Sequence, residues 1–362
     1  MVVYILMLII SLVFSFFIKE KNNKCLNNFL IILSAFPFFF VTAFRYDVGT
    51  DYMFRYTRDF VKILAHQGVN DLEIGFKFLY NFCIFFTSNS QSIFIATSFI
   101  IITLIFKSIH DQSKNITLSI LLFFVGAFFF QSLNLTREYI SIALILFSYS
   151  YLLNGKYFKW IVVMIISILF HSSSIIYAML SFVTYIFIKK CEHNEIVLNY
   201  KFIITLFISM FLFGPIIKES IMSYMSFTRF KVYIGSQFDY GDLQIIPFIL
   251  NILLFLWMVY CARKSKKLNE EGKYYLYIQF FCIFIIGMGK YIYLVNRLSY
   301  YFTIFQIISV PYFLSILKEK IDYKKYILNV ILIIVAFSSV LTWTHILHST
   351  DEVLPYKTII NL

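Results

Sequence analysis

Residues 115–133 read NITLSILLFFVGAFFFQSL, a stretch with no ionisable side chain. As a helix it is long enough to cross a hydrocarbon core of about 30 Å. Its apolar residues are continuous and do not alternate, so a barrel strand is not the reading. Comparable stretches recur at 2–18, 26–44, 74–88, 91–107, 137–153, 157–171, 173–188, 201–217, 245–261, 274–290, 298–317 and 326–343. This pattern predicts an all-α, polytopic integral membrane protein with about 11–13 transmembrane helices.

Composition agrees. The chain is 60% hydrophobic and 21% aromatic, with 45 Phe and 27 Tyr, and only 14% charged. A soluble domain carries roughly a quarter charged residues, so a water-facing globule has too little polar surface here. One transmembrane domain over 1–362 is expected. The net charge of +12 does not predict a nucleic-acid partner, because Lys and Arg fall in short runs between apolar segments, as cytoplasmic loops do. Cys25, Cys83, Cys191, Cys261 and Cys282 form no CxxC pair, so neither a metal site nor a disulfide framework is indicated. No cofactor is expected. Met1 to Ile18 lacks a small-residue cleavage site and reads as a retained first span.

The lysine runs orient the chain. Lys156 and Lys159, then Lys189, Lys190 and Lys201, then Arg263 to Lys273, then Lys318 to Lys325 are separated by even numbers of spans and can all lie in the cytoplasm. The turns at Gln131, at His171–Ser174 and at Lys290–Arg297, the long loop 218–244 and the tail after Trp343 then lie outside. The N-terminal third breaks this parity. With 45–72 outside and Lys107–Lys114 inside, two apolar stretches separate them, so one of 74–88 or 91–107 is re-entrant or interfacial, or the loop itself dips into the membrane.

Ionisable residues at membrane segments are costly and are functional candidates by default. The densest set is Arg45-Tyr46-Asp47-Val48-Gly49-Thr50-Asp51-Tyr52, and residues 52–65 after it have the pattern of a helix lying in the interface. Gly49 lets the backbone turn sharply between the two aspartates. Glu73 heads an apolar run, where it serves either the helix dipole or chemistry. Arg137-Glu138 stands between two apolar stretches, and an arginine fork there suits phosphate oxygens. His171, followed by three serines, ends an apolar run at a turn, a position suited to acid–base work or to packing. Arg297 begins another span on the outer side. Loop 218–244 adds Arg229, Lys231, Asp239 and Asp242 beside Phe230, Tyr233, Phe238 and Tyr240, a vocabulary compatible with sugar binding. Cations enriched outside run against the positive-inside bias, and an anionic ligand such as a lipid diphosphate explains them.

The segment Arg45 to Tyr52 with Tyr56 resembles the R-Y-x-V-G-T-D-Y-x3-Y signature of the EpsG/Wzy family of bacterial polysaccharide polymerases. Glu73-Ile74-Gly75-Phe76 resembles that family's E-P-G-F. Asn134-Leu135-Thr136-Arg137-Glu138 resembles its N-x-x-R-Q, Gly155 to Ser173 its G-K…K…F-H-x-S, and Arg297…Tyr300 a late R-x-x-Y. The resemblance implies a GT-C-like helical bundle with an outer-face cavity in the bacterial cytoplasmic (inner) membrane. It also implies a glycosyltransferase joining undecaprenyl-diphosphate-linked oligosaccharide repeats at the outer leaflet, for capsule, exopolysaccharide or O-antigen. Membrane lipid, a chain-length regulator and a flippase would be its partners.

On that implication Arg137 and Arg297 would clamp the departing diphosphate without a metal. Arg45, Arg229, Tyr52 and Tyr300 join them as substrate-binding candidates. Asp51 and His171 are candidates for the base, with Asp47 and Glu73 behind them. Two other classes compete: a lipid-linked oligosaccharide flippase, for which no internal repeat is visible, and a membrane O-acyltransferase with His171 as base. A scaffold subunit would explain the basic runs but not the 45–52 cluster.

Overall fold

A computed structural model describes residues 1–19, 21, 23–69, 72–190, 208, 213–216, 218–220, 222–223, 241, 243–265, 268–292 and 295–361. Among the described residues the secondary structure is helical, apart from one isolated bridge between Arg45 and Thr358. Four helices are long and apolar enough to cross a membrane, or up to six if each of two bent pairs is one span. Shorter apolar helices accompany them. The chain is therefore a multi-pass membrane protein with a helical bundle fold. It divides into two compact units, Met1–Ile175 with Ile327–Leu362, and Ile176–Tyr326.

The first unit opens with α1 (Val2–Phe16) and α2 (Lys24–Ala43) as a packed pair. Ser11 and Ser34 touch hydroxyl to hydroxyl at 3.0 Å between them. Small residues let membrane helices approach closely where lipid offers no hydrophobic drive. The same device joins α8 (Thr136–Leu153) to α9 (Tyr157–Phe170), where Ser141 and Ser167 lie 2.6 Å apart. Between them in sequence come α3 (Arg58–Leu64), preceded by a π-helical turn at Tyr52–Thr57, then α4 (Ile74–Phe86) and α5 (Gln91–Gln112).

The expected span 115–133 is a bent pair, α6 (Ile116–Val125) and α7 (Phe128–Asn134), with a 55° angle between them. The cause is local. Ala127 has φ of +65°, and a Cβ on Gly126 would sit 2.8 Å from the Leu122 carbonyl oxygen, so only glycine permits this break.

The expected apolar stretch 74–88 forms the short helix α4. Its 13 residues measure about 20 Å, short of a core of about 30 Å. From the middle of α4 Tyr80 donates to the Tyr56 carbonyl (3.1 Å), and Gln91, the first residue of α5, donates to the Ala43 and Arg45 carbonyls (2.6 and 3.1 Å). Phe78, Phe82, Phe85 and Phe86 on α4 are exposed.

The second unit contains most of α10 (Ser174–Lys190), then α11 (Ile245–Ser265), α12 (Glu270–Met288), the short α13 (Val295–Leu298) and α14 (Tyr300–Thr303), and α15 (Gln306–Lys318). Its helices are tied by Asn251 on α11, whose side-chain oxygen accepts from Gln279 (3.0 Å) and Gln306 (2.7 Å). Buried amides of this kind act as interhelical glue. α16 (Tyr323–Leu341) leads back into the first unit and continues as a π-helical turn, Thr342–Leu347. The expected span 201–217 and loop 218–244 fall mostly outside the described residues.

Candidate functional site

The 45–52 segment is a tight loop after α2. Asp47 has φ of +50° and Gly49 +96°, and a Cβ on Gly49 would meet the Leu133 carbonyl oxygen at 3.2 Å. Glycine is needed there on both counts. Arg45 is 2% exposed. It donates to the carbonyls of Thr42 (3.2 Å) and Leu133 (2.9 Å), and its guanidinium lies 5.1 Å from the Phe94 ring centroid. Tyr52 stacks on Phe94 at 4.0 Å and donates to Gln91 (2.7 Å). Arg45 and Tyr52 thus pack the loop onto α2, α5 and α7.

Asn134 is the hub of this region. Its side-chain oxygen accepts from the Thr50 hydroxyl (2.8 Å) and the Asp51 backbone N–H (3.0 Å). Its backbone carbonyl accepts from the Tyr56 hydroxyl at 3.1 Å. Asp51 is half-buried, and its carboxylate makes no ion pair among the described residues. Asp47 is paired with Lys357 at 3.0 Å and is exposed.

Beside this loop lies the most concentrated chemistry of the first unit. Glu73 precedes α4, Arg137 lies in the first turn of α8, and His171 follows the last residue of α9. Arg137 Nη1 donates to Glu73 Oε2 at 2.6 Å, and His171 Nδ1 lies 3.3 Å from Glu73 Oε1, off the line of a hydrogen bond. The side chains of Arg137 and Glu73 are 10% and 8% exposed, and that of His171 23%. One buried carboxylate therefore bridges a guanidinium and an imidazole drawn from three elements. Burial pushes the Glu73 carboxyl up, but His171 and the Arg137 charge outweigh it and hold the group down at about 2. Glu73 is ionised at physiological pH.

Glycine sets this geometry as well. An added Cβ on Gly75 would stand 3.0 Å from the Leu169 carbonyl oxygen and 3.2 Å from Phe170. Gly75 thus lets the start of α4 press against the end of α9, which sets Glu73 against His171. Gly75→Ala is expected to part them by a few tenths of an ångström and lower turnover by about tenfold, with folded yield nearly kept. Initial rates on purified protein check this.

Arg297 and Tyr300 belong to the second unit, on α13 and α14. Arg229 lies outside the described residues. Among the described residues no cluster of three or more His, Cys, Asp or Glu side chains is placed to hold a metal ion.

Sequence reading missed Gln91, the hub role of Asn134, and the return of the C-terminal tail. Tyr46 N–H donates to the Lys357 carbonyl (3.0 Å), Gly49 N–H to Glu352 (3.2 Å) and Thr50 N–H to Asp351 (3.1 Å). Asn134 also donates to the Asp351 carboxylate at 2.7 Å. The exposed Asp47–Lys357 charge pair was the only local signal, and opposite charges so far apart in sequence do not announce their pairing.

No curated protein and no solved structure matches the chain. The EpsG family matches over residues 28–358, from within α2 to the tail strand-pair partner Thr358. That range includes the loop 45–56, Glu73, Arg137, His171 and Asp351. This multi-pass membrane protein belongs to the EpsG family, whose function is of the polysaccharide-polymerase type in polysaccharide biosynthesis.

Proposed function

We propose that this chain joins undecaprenyl-diphosphate-linked oligosaccharide repeat units at the outer leaflet of the bacterial cytoplasmic membrane, as a glycosyltransferase. The observation that carries this is the Glu73 carboxylate shared by Arg137 and His171. A carboxylate facing Nδ1 selects the tautomer with the proton there, which leaves Nε2 as the base. The 3.3 Å approach then tightens as substrate enters.

The acceptor hydroxyl oxygen attacks the anomeric carbon of the donor glycan, and the bond from that carbon to the diphosphate oxygen breaks. His171 Nε2 takes the hydroxyl proton, and the lipid diphosphate leaves with the electron pair. Arg137 gives Nη1 to Glu73 and makes no other guanidinium hydrogen bond among the described residues. Its remaining N–H groups would meet the developing phosphate charge. Before reaction the Glu73 and Arg137 charges cancel; once His171 is protonated, the triad is net positive and favours the departing anion. Asp51, carboxylate unpaired and backbone held by Asn134, would accept hydroxyl protons of the glycan.

The test is purified protein mixed with lipid-diphosphate-linked repeat units. A ladder of lengthening glycans supports the reading. Movement of the lipid across vesicles without lengthening would make the chain a flippase, and acyl transfer to the glycan an acyltransferase.

A further inference from the structure

The C-terminal tail is bonded along the signature loop more closely than an anchor requires. Besides the backbone bonds above, Ile359 N–H donates to the Phe44 carbonyl (3.1 Å), Tyr4 to the Val353 carbonyl (2.9 Å) and Tyr356 to Val41 (3.1 Å). Lys357 pairs with Asp47. The tail also holds three non-glycine residues in the left-handed region: Ser349 (φ +47°), Asp351 (+70°) and Glu352 (+49°). Each is disfavoured for an L-residue and persists only where surrounding contacts over-determine it. Strain of this kind gathers where a side chain must be aimed. Here it aims the Asp351 carboxylate at Asn134 Nδ2, 2.7 Å away.

That bond has a consequence for Asp51. The Asn134 amide can offer its oxygen to Thr50 and Asp51 only if its nitrogen faces the other way, and Asp351 is the acceptor waiting there. We infer that Asp351 is a positioning residue: it locks the Asn134 amide in one orientation and thereby fixes the Asp51 backbone that presents its carboxylate to the glycan, making the tail 349–359 part of the binding site. The inference rests on the polymerase reading for Asp51's ligand, but not for the tail's attachment.

Exchanging the two side chains tests it. Asn134→Asp sets two carboxylates face to face, whereas Asn134→Asp with Asp351→Asn restores one donor and one acceptor with polarity intact for Thr50 and Asp51. Two readouts are taken on purified protein: polymerisation kinetics with lipid-diphosphate-linked repeats, and the rate of trypsin cleavage after Lys357, which the clasped backbone shields. Asn134→Asp is expected to raise KM about tenfold with kcat within about threefold, and to speed cleavage by about tenfold or more. The double variant is expected to return both to within about threefold of wild type.

A lower kcat at unchanged KM, or a double variant no better than the single, would overturn the positioning role. Unchanged cleavage in Asn134→Asp would overturn the clasp. If wild-type protein forms no polymer, the polymerase reading fails, and cleavage rates alone decide whether Asp351 holds the tail.

Discussion

Arg137→Ala is expected to abolish polymer formation and to destabilise the fold by about 3–5 kcal/mol, the usual cost of stranding one member of a buried ion pair. Glu73 has an 8% exposed side chain, and Arg137 is its cationic partner at 2.6 Å. Without the arginine, the carboxylate loses its guanidinium partner, and His171 stays beside it at 3.3 Å. The loss has a pH signature. Glu73 sits at about 2 against an ordinary value of 4.5. Its depressed value contributes stability that is present above 4.5 and lost as pH falls from there through about 2. In Arg137→Ala that acid-dependent contribution shrinks, because a major cause of the depression is gone. Thermal unfolding of detergent-solubilised wild type and variant across this range checks it. Arg137→Lys is expected to recover part of the stability and little of the activity, since one ammonium does not reproduce a fork serving Glu73 and a phosphate together.

Arg45→Ala is expected to lower folded yield more than any other change in the signature loop. Burial pushes the Arg45 guanidinium down to about 10, so it is still a cation at neutral pH, held by carbonyls and an aromatic face and not by a carboxylate among the described residues. Removing it leaves the Leu133 and Thr42 carbonyls without this donor and opens a void beside Phe94. At about 1.5–3 kcal/mol for each hydrogen bond to a charged group, the cost is about 3 kcal/mol or more. The expected readout is a lower melting temperature and less monodisperse protein. The burial of Arg45 is a property of the packed fold, which a side-chain type does not report.

Glu73, Arg137 and His171 were legible as candidates because each stands at the end of an apolar run on the same expected face. Charge is tolerated at span ends, and hydropathy locates the ends. What hydropathy does not carry is how those ends meet. The 3.3 Å approach of His171 to Glu73 depends on Gly75 admitting the end of α9, a contact between distant segments. The bend at Gly126–Ala127 was hidden because a broken and a straight span have the same apolar content. Parity flagged residues 74–107 as a conflict, but not the shortness of α4, a helix of 13 residues. The tail was the least legible element. Its bonds to the loop are mostly backbone to backbone, and backbone groups are the same in every sequence.

In the proposed mechanism His171, held by Glu73, takes the acceptor proton while Arg137 receives the diphosphate. The most direct measurement is the single-turnover rate of glycosidic bond formation by His171→Ala and wild-type protein of matched melting temperature, with saturating lipid-diphosphate-linked repeat unit. Loss of a general base predicts a rate lower by about 10²–10⁴-fold, with substrate still bound. A His171→Ala rate within about threefold of wild type would contradict the account and move the base elsewhere.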